Sequence, residues 1–214
     1  MAASSRRAKA FGCFERWLFP QLPTPTRGIS EMKAVATTLI ASFVAVLSGG
    51  ASADIGMAPV VPENLKVPAT QTLAVVAQAS GAQIYECNAS KTDPARFEWV
   101  FKAPEAELFD NAGKKIGKHY AGPTWESDDG SKVVGEVKAR DDGPDVNAIP
   151  WLLLSAKSAE GNGIFGKTQS VQRVETVGGQ APAYGCNQAQ LGKVARVAYR
   201  ATYNFYVARP RARG

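Results

Sequence analysis

From Val194 to Val207 the chain alternates with a period of two. Ala195, Val197, Tyr199, Ala201, Tyr203, Phe205 and Val207 share one side, and Arg196, Arg200, Thr202 and Asn204 the other. Successive side chains of a strand point to opposite faces, so this segment specifies a long strand with one buried and one wet face. Such a strand needs partners, and the preceding sequence offers several. Leu73 to Gln78 and Ala82 to Cys87 flank Ala79-Ser80-Gly81, a pattern that reads as a hairpin. Phe97, Trp99 and Phe101 alternate, which places three rings on one side expected to be core. Asp110-Asn111-Ala112-Gly113 and Asp128-Asp129-Gly130 have the chemistry of tight turns. Ile149 to Ala156 is a continuous apolar run, expected to be a central strand or one buried on both faces, with Pro150 at its first pairing position.

No stretch after Ala53 carries an apolar stripe of helical period over three turns. The expected fold is therefore all-β, an antiparallel sandwich or closed barrel of about eight strands. With no internal repeat, the sequence reads as a single β domain at 70–207. A proline-rich extended lead-in at 54–69 precedes it, and a basic tail at 208–214 follows.

The amino-terminal part reads as an address rather than as structure. Met32-Lys33, the apolar run Ala34 to Leu47 and the small residues ending in Ala51-Ser52-Ala53 form a secretory signal pattern at 32–53. A run of that length is shorter than the ~20 residues that span a bilayer, so no transmembrane segment is expected in the mature protein. Residues 1–31 fit awkwardly before such a signal, and Met32 as the start is the simplest account; a twin-arginine signal at Arg6-Arg7 is the rival. The expected location is periplasmic or extracellular.

The net charge of +6 shrinks once the chain is divided. Residues 1–53 hold six Lys/Arg and two Asp/Glu of the 25 and 19 in the whole chain, leaving 19 and 17, or +2. Arg209, Arg211 and Arg213 lie in the tail, so no basic face is implied and nucleic acid is not an expected partner. Of three cysteines, Cys13 falls in the leader, which leaves Cys87 and Cys186 as an even pair in an oxidising space. Their disulfide would close a loop of about 100 residues, worth ~4 to 5 kcal/mol in the chain-entropy model; two buried free thiols are the alternative.

Several segments resemble a family of exported proteins catalogued as domain of unknown function 3455. They are Gln83 to Cys87, Phe97 to Asp110, His119 to Glu126, Ile149 to Leu154, Gln172 to Thr176, Gly178-Gly179 and Tyr203 to Tyr206. The resemblance implies export, a single domain and pairing of the two cysteines. It brings no catalytic residue.

Motifs narrow the chemistry further. Gly161-Asn162-Gly163-Ile164-Phe165-Gly166 matches a dinucleotide fingerprint, but a β-like segment follows it instead of a helix, so it reads as a hairpin loop and no cofactor is expected. His119 is the single histidine, and no metal site is expected. Asp128-Asp129-Gly130 and Asp141 to Asp145 lack calcium-loop spacing and read as solvated turns. No G-x-S-x-G elbow marks Ser127, Ser131 or any other serine as a nucleophile.

His119, Tyr120, Trp125 and Glu126 are the candidate ligand-binding residues, with His119 able to exchange a proton near neutral pH or to serve a structural hydrogen bond. Trp99, Trp125 and Trp151 offer a possible stacking platform, Trp125 being the one expected to be partly exposed. The leading expectation is a module that binds a small molecule or an envelope component. The competing one is a hydrolase using His119 with Glu126, Asp128 or Asp129 as acid and base. A third is assembly through an exposed sheet edge.

Overall fold

The computed structural model describes residues 60–211, so the leader, the signal segment, Cys13 and the first part of the lead-in lie outside the described residues. Eight strands follow in order. They are β1 (Gln71–Ala89), β2 (Phe97–Phe109), β3 (Lys115–Tyr120), β4 (Thr124–Ser127), β5 (Lys132–Asp141), β6 (Trp151–Glu160), β7 (Thr168–Gly178) and β8 (Val194–Ala208). Each pairs antiparallel with its sequence neighbours, and β8 returns to pair with β1 from Gln71 to Glu86, closing one sheet into a barrel. Of the two arrangements expected, the barrel is the one adopted. Every strand thus has a partner on both sides, although the short β3 and β4 cover only part of their neighbours, so residues 97–105 of β2 and 135–141 of β5 are each paired on one side alone.

The expected hairpin at Ala79-Ser80-Gly81 does not form: β1 runs straight through it for 19 residues. Gly81 serves a neighbour and not a turn. A Cβ there would lie 2.1 Å from the Glu105 carbonyl oxygen and 2.5 Å from Ala106 Cα, so glycine is what lets β2 cross so near. Pairing irregularities at Leu73/Val75 and Ile84/Tyr85 help the long strand to coil. The turns at Asp110–Gly113 and Asp128–Gly130 form as expected, between β2 and β3 and between β4 and β5.

The core fills the barrel interior. Ala77, Ala79, Ala106 and Ala201 on β1, β2 and β8 are its small members, and Trp125, Phe165, Tyr203 and Phe205 its large ones. Small residues mixed with large ones are how a closed sheet of this size fills its interior. The outer surface carries cross-strand ion pairs, Arg196 with Glu105, Lys115 with Glu107 and Lys118 with Glu126. Apolar inside and charged outside is the inverse of a barrel that faces lipid.

Three expectations about burial change. Phe97, Trp99 and Phe101 do not enter the core; they lie where β1 and β2 extend beyond it, and Phe101 is 50% exposed. In the run Ile149 to Ala156 only Ile149 and Leu154 are buried, because the strand begins at Trp151 and one face of it is half-wet. In β8 the outward side is wet only as far as Arg200; Thr202, Asn204 and Tyr206 are buried. On that side Leu65, in a 3-10 turn of the lead-in, is fully buried and its carbonyl accepts from Gln172, which in turn accepts from the Tyr206 hydroxyl at 2.6 Å.

The two ends of the barrel differ. At one end the glycine-rich loop after β6 folds inward, putting Phe165 fully inside, 4.3 Å from the Phe205 ring centroid. Asp129 holds that loop: its carboxylate accepts from the Ile164 N–H, the Ser131 N–H and the Ser131 hydroxyl, and Ser131 accepts from the Phe165 N–H. These hydrogen bonds, the Ser131 hydroxyl first, keep the Asp129 carboxyl at about 2, so the clasp persists as pH falls until that value is reached. At the other end lie the connections 90–96, 121–123, 142–150 and 179–193. Cys87 and Cys186 are joined there, with Cα atoms 5.4 Å apart, tying the end of β1 to the last of these connections.

Candidate functional site

Strand alternation decides what becomes of the four candidate residues. His119 pairs with Trp125 across β3 and β4, and both point inward; Tyr120 and Glu126 occupy the adjacent positions and point outward. The four therefore do not converge. Outside, the Tyr120 hydroxyl donates to Glu126 at 2.6 Å and Lys118 pairs with the same carboxylate. The Tyr120 hydrogen bond, then Lys118, hold the Glu126 carboxyl below its ordinary range.

Inside, the His119 and Trp125 rings stack at 4.5 Å and 7°, with Tyr203 edge-on to both. Trp125 is 1% exposed and His119 2%, so the expectation of a partly exposed Trp125 is corrected. The reason is local. Gly135 on β5 leaves room beneath the indole, where a Cβ would come within 2.9 Å of Cζ3. Burial drives the His119 pKa down to about 3, with a smaller push from the Arg173 charge. The imidazole is neutral at neutral pH and does not exchange a proton there. Its Nδ1 lies 2.8 Å from the Thr124 carbonyl, which can only accept, so Nδ1 carries the proton and Nε2 is the free acceptor.

The acid and base expected for a hydrolase are not assembled. Glu126 faces away from His119, Asp128 is exposed in the turn after β4, and Asp129 is committed to the loop clasp. Ser131 is held by Asp129, and Ser127 accepts from the Asp129 N–H. The stacking platform is likewise dispersed. Trp99 donates to the Tyr184 carbonyl at 2.9 Å, Trp151 packs beside Gly143, and only Trp125 lies within the barrel.

What the interior does hold is a cavity of about 530 Å³, to which all eight strands contribute. It reaches the end of the barrel opposite Phe165, since Phe101 and Val137, each 50% exposed, line it there. Its flanks are apolar, with Ile149, Leu152 and Leu154. Its polar lining is formed by Gln83, His119, Trp125 and Tyr203, each buried, and by Arg173, which is half-buried and bonded to the connection 142–150 at the open end. Gln83 Nε2, Trp125 Nε1 and the Tyr203 hydroxyl are buried without a protein partner. Tyr203 sits near the Tyr199 phenol and Arg173; burial raises its pKa, and both neighbours offset part of that larger upward push. Buried donors left unpaired are costly, about 1–3 kcal/mol each, and native proteins rarely keep them without a use.

Arg173 was not among the residues singled out from sequence. It stands in register with Leu152 on β6 and Tyr203 on β8, both cavity residues, so it faces inward. Its Nε and Nη2 donate to the Pro150 carbonyl at 3.1 and 2.9 Å. Among the described residues no carboxylate lies within ion-pair reach of it. No group of His, Cys, Asp and Glu able to hold a metal ion occurs among the described residues, and no described helix is long and apolar enough to cross a membrane.

No curated protein and no solved structure shows significant similarity to the chain. A family model described as "Protein of unknown function (DUF3455)" matches residues 68–207, more than half of the chain and all eight strands. The chain belongs to that family.

Proposed function

We propose that the protein is an exported binding module that takes a small, largely apolar molecule into the open end of its barrel. The observation that carries this reading is the set of buried, unpartnered polar atoms of Gln83, Trp125 and Tyr203 in the polar lining of a cavity with apolar flanks. Eight-stranded barrels are just wide enough to enclose one small ligand, and their mouths are a preferred place for such sites. An apolar wall supplies affinity through burial, while a few fixed donors supply orientation. Export is supported by the signal pattern at 32–53 and by a cysteine bridge suited to an oxidising compartment.

Nile red, a neutral dye whose emission rises in apolar surroundings, tests the module. Protein recovered from the exported fraction binds it saturably with one site and has an intact mass that starts at Asp54. A Leu152→Trp substitution, which fills the cavity, abolishes the enhancement. Dye emission that never saturates, or that survives Leu152→Trp in a folded protein, rejects the binding reading. An exported product that retains residues 32–53 rejects the processing.

A further inference from the structure

We propose that the ligand of this cavity carries a single carboxylate, and that Arg173 is the residue that receives it. The inference rests on the binding reading above and names the chemistry of the polar part of the same site.

Arg173 brings a permanent positive charge to a partly enclosed interior. Its field reaches four cavity or core groups: burial raises the pKa of Tyr85, Tyr199 and Tyr203 and the Arg173 charge offsets part of that rise, while at His119 burial lowers the pKa and Arg173 adds to the fall. The only acceptor it holds is a neutral carbonyl, that of Pro150, which engages two of its nitrogens and fixes the plane of the guanidinium. Its remaining donors are not committed to a carboxylate of the chain, and a guanidinium's flat fork matches a carboxylate's two oxygens. Three neighbouring groups agree in sign, while His119 Nε2 beside them is an acceptor. Trp125 Nε1 and Gln83 Nε2 are donors, and the Tyr203 hydroxyl is able to donate, with none of the three matched to a protein acceptor. A neutral ligand would leave the charge without a counterion. A dianion such as a phosphate monoester would leave an excess negative charge, because His119 stays uncharged and the other cations of the lining, Lys102 and Arg140, are paired with Glu86 and Asp142. One negative charge on an otherwise apolar body fits both the polar lining and the flanks formed by Ile149, Leu152 and Leu154.

The test compares 11-(dansylamino)undecanoate with its primary amide, which differ only in the charge of the head. On the native protein the acid binds at least about tenfold more tightly than the amide. In Arg173→Gln the two bind equally, and Arg173→Lys restores part of the preference. Thermal melting identifies any variant that fails to fold, and the comparison on native protein needs no variant. Equal binding of acid and amide by the native protein overturns the carboxylate assignment while leaving the binding module standing. Failure of both to bind overturns the module as well.

Discussion

Replacing both Cys87 and Cys186 by serine lowers the unfolding free energy by about 4 kcal/mol, read from the guanidinium midpoint at constant m. The bridge joins residues 99 apart, so its removal frees a long loop of the unfolded chain. The cost also has a place in the folded state. The connection 179–193 frames the open end: the Tyr85 hydroxyl donates to the Gly179 carbonyl at 2.6 Å, and the Gln180 amide donates to the Val146 and Ala148 carbonyls. Cys87 is held to the same connection by main-chain bonds from its own N–H to Lys193 and from Gly192 to its carbonyl. Those bonds survive the substitution, so the fold persists while the mouth loosens. A loss below about 1 kcal/mol would contradict this assignment of the bridge's role.

Phe165→Ala is the second large effect, a loss of about 3–5 kcal/mol. Phe165 is fully buried, closes the end of the barrel opposite the cavity mouth, and packs on Phe205, itself fully buried. Truncation removes the ring and leaves a void that the closed sheet cannot collapse to fill. Phe165→Leu, which keeps most of the volume, costs less than half as much. Ile164→Ala, next in sequence but 39% exposed, changes stability by no more than about 0.5 kcal/mol. Equal losses for Phe165→Ala and Ile164→Ala would show that the loop does not plug the barrel. The glycine pattern of 161–166 thus has a structural use, letting a loop turn back and place one aromatic ring inside.

Period-two alternation made the fold class legible, and it is most complete in β8, where Tyr199, Ala201, Tyr203 and Phe205 all point into the core. The misreadings come from information that is not local. Gly81 sits between two apolar runs, as turn glycines do, and only the backbone of β2 reveals why a side chain is excluded there. Phe97, Trp99 and Phe101 alternate correctly, yet periodicity gives a face and not a depth, and these three lie at the open end. Trp125 precedes a turn, which suggested exposure, but its register with His119 turns it inward.

The same rule explains the candidate site. The four chemically attractive residues lie close in sequence, but strand geometry sends adjacent side chains to opposite faces. Parity would have separated His119 and Trp125 from Tyr120 and Glu126. Arg173 was harder to find. It shares parity with the buried Val171, but Gln172 and Val174 are buried too, so β7 shows no clean alternation and an inward arginine does not stand out. Its neighbours in the site, Gln83, Trp125 and Tyr203, come from three other strands, a grouping that only closure of the barrel creates.

The indole N–H of Trp125 reports on the central claim most directly, because it is buried, unpartnered and part of the cavity's polar lining. In a nitrogen–proton correlation spectrum of the exported protein, titration with dodecanoate shifts the Trp125 indole signal saturably. The Trp99 indole, already bonded to the Tyr184 carbonyl, stays in place. An unmoved Trp125 signal at saturating dodecanoate would contradict a ligand site inside the barrel.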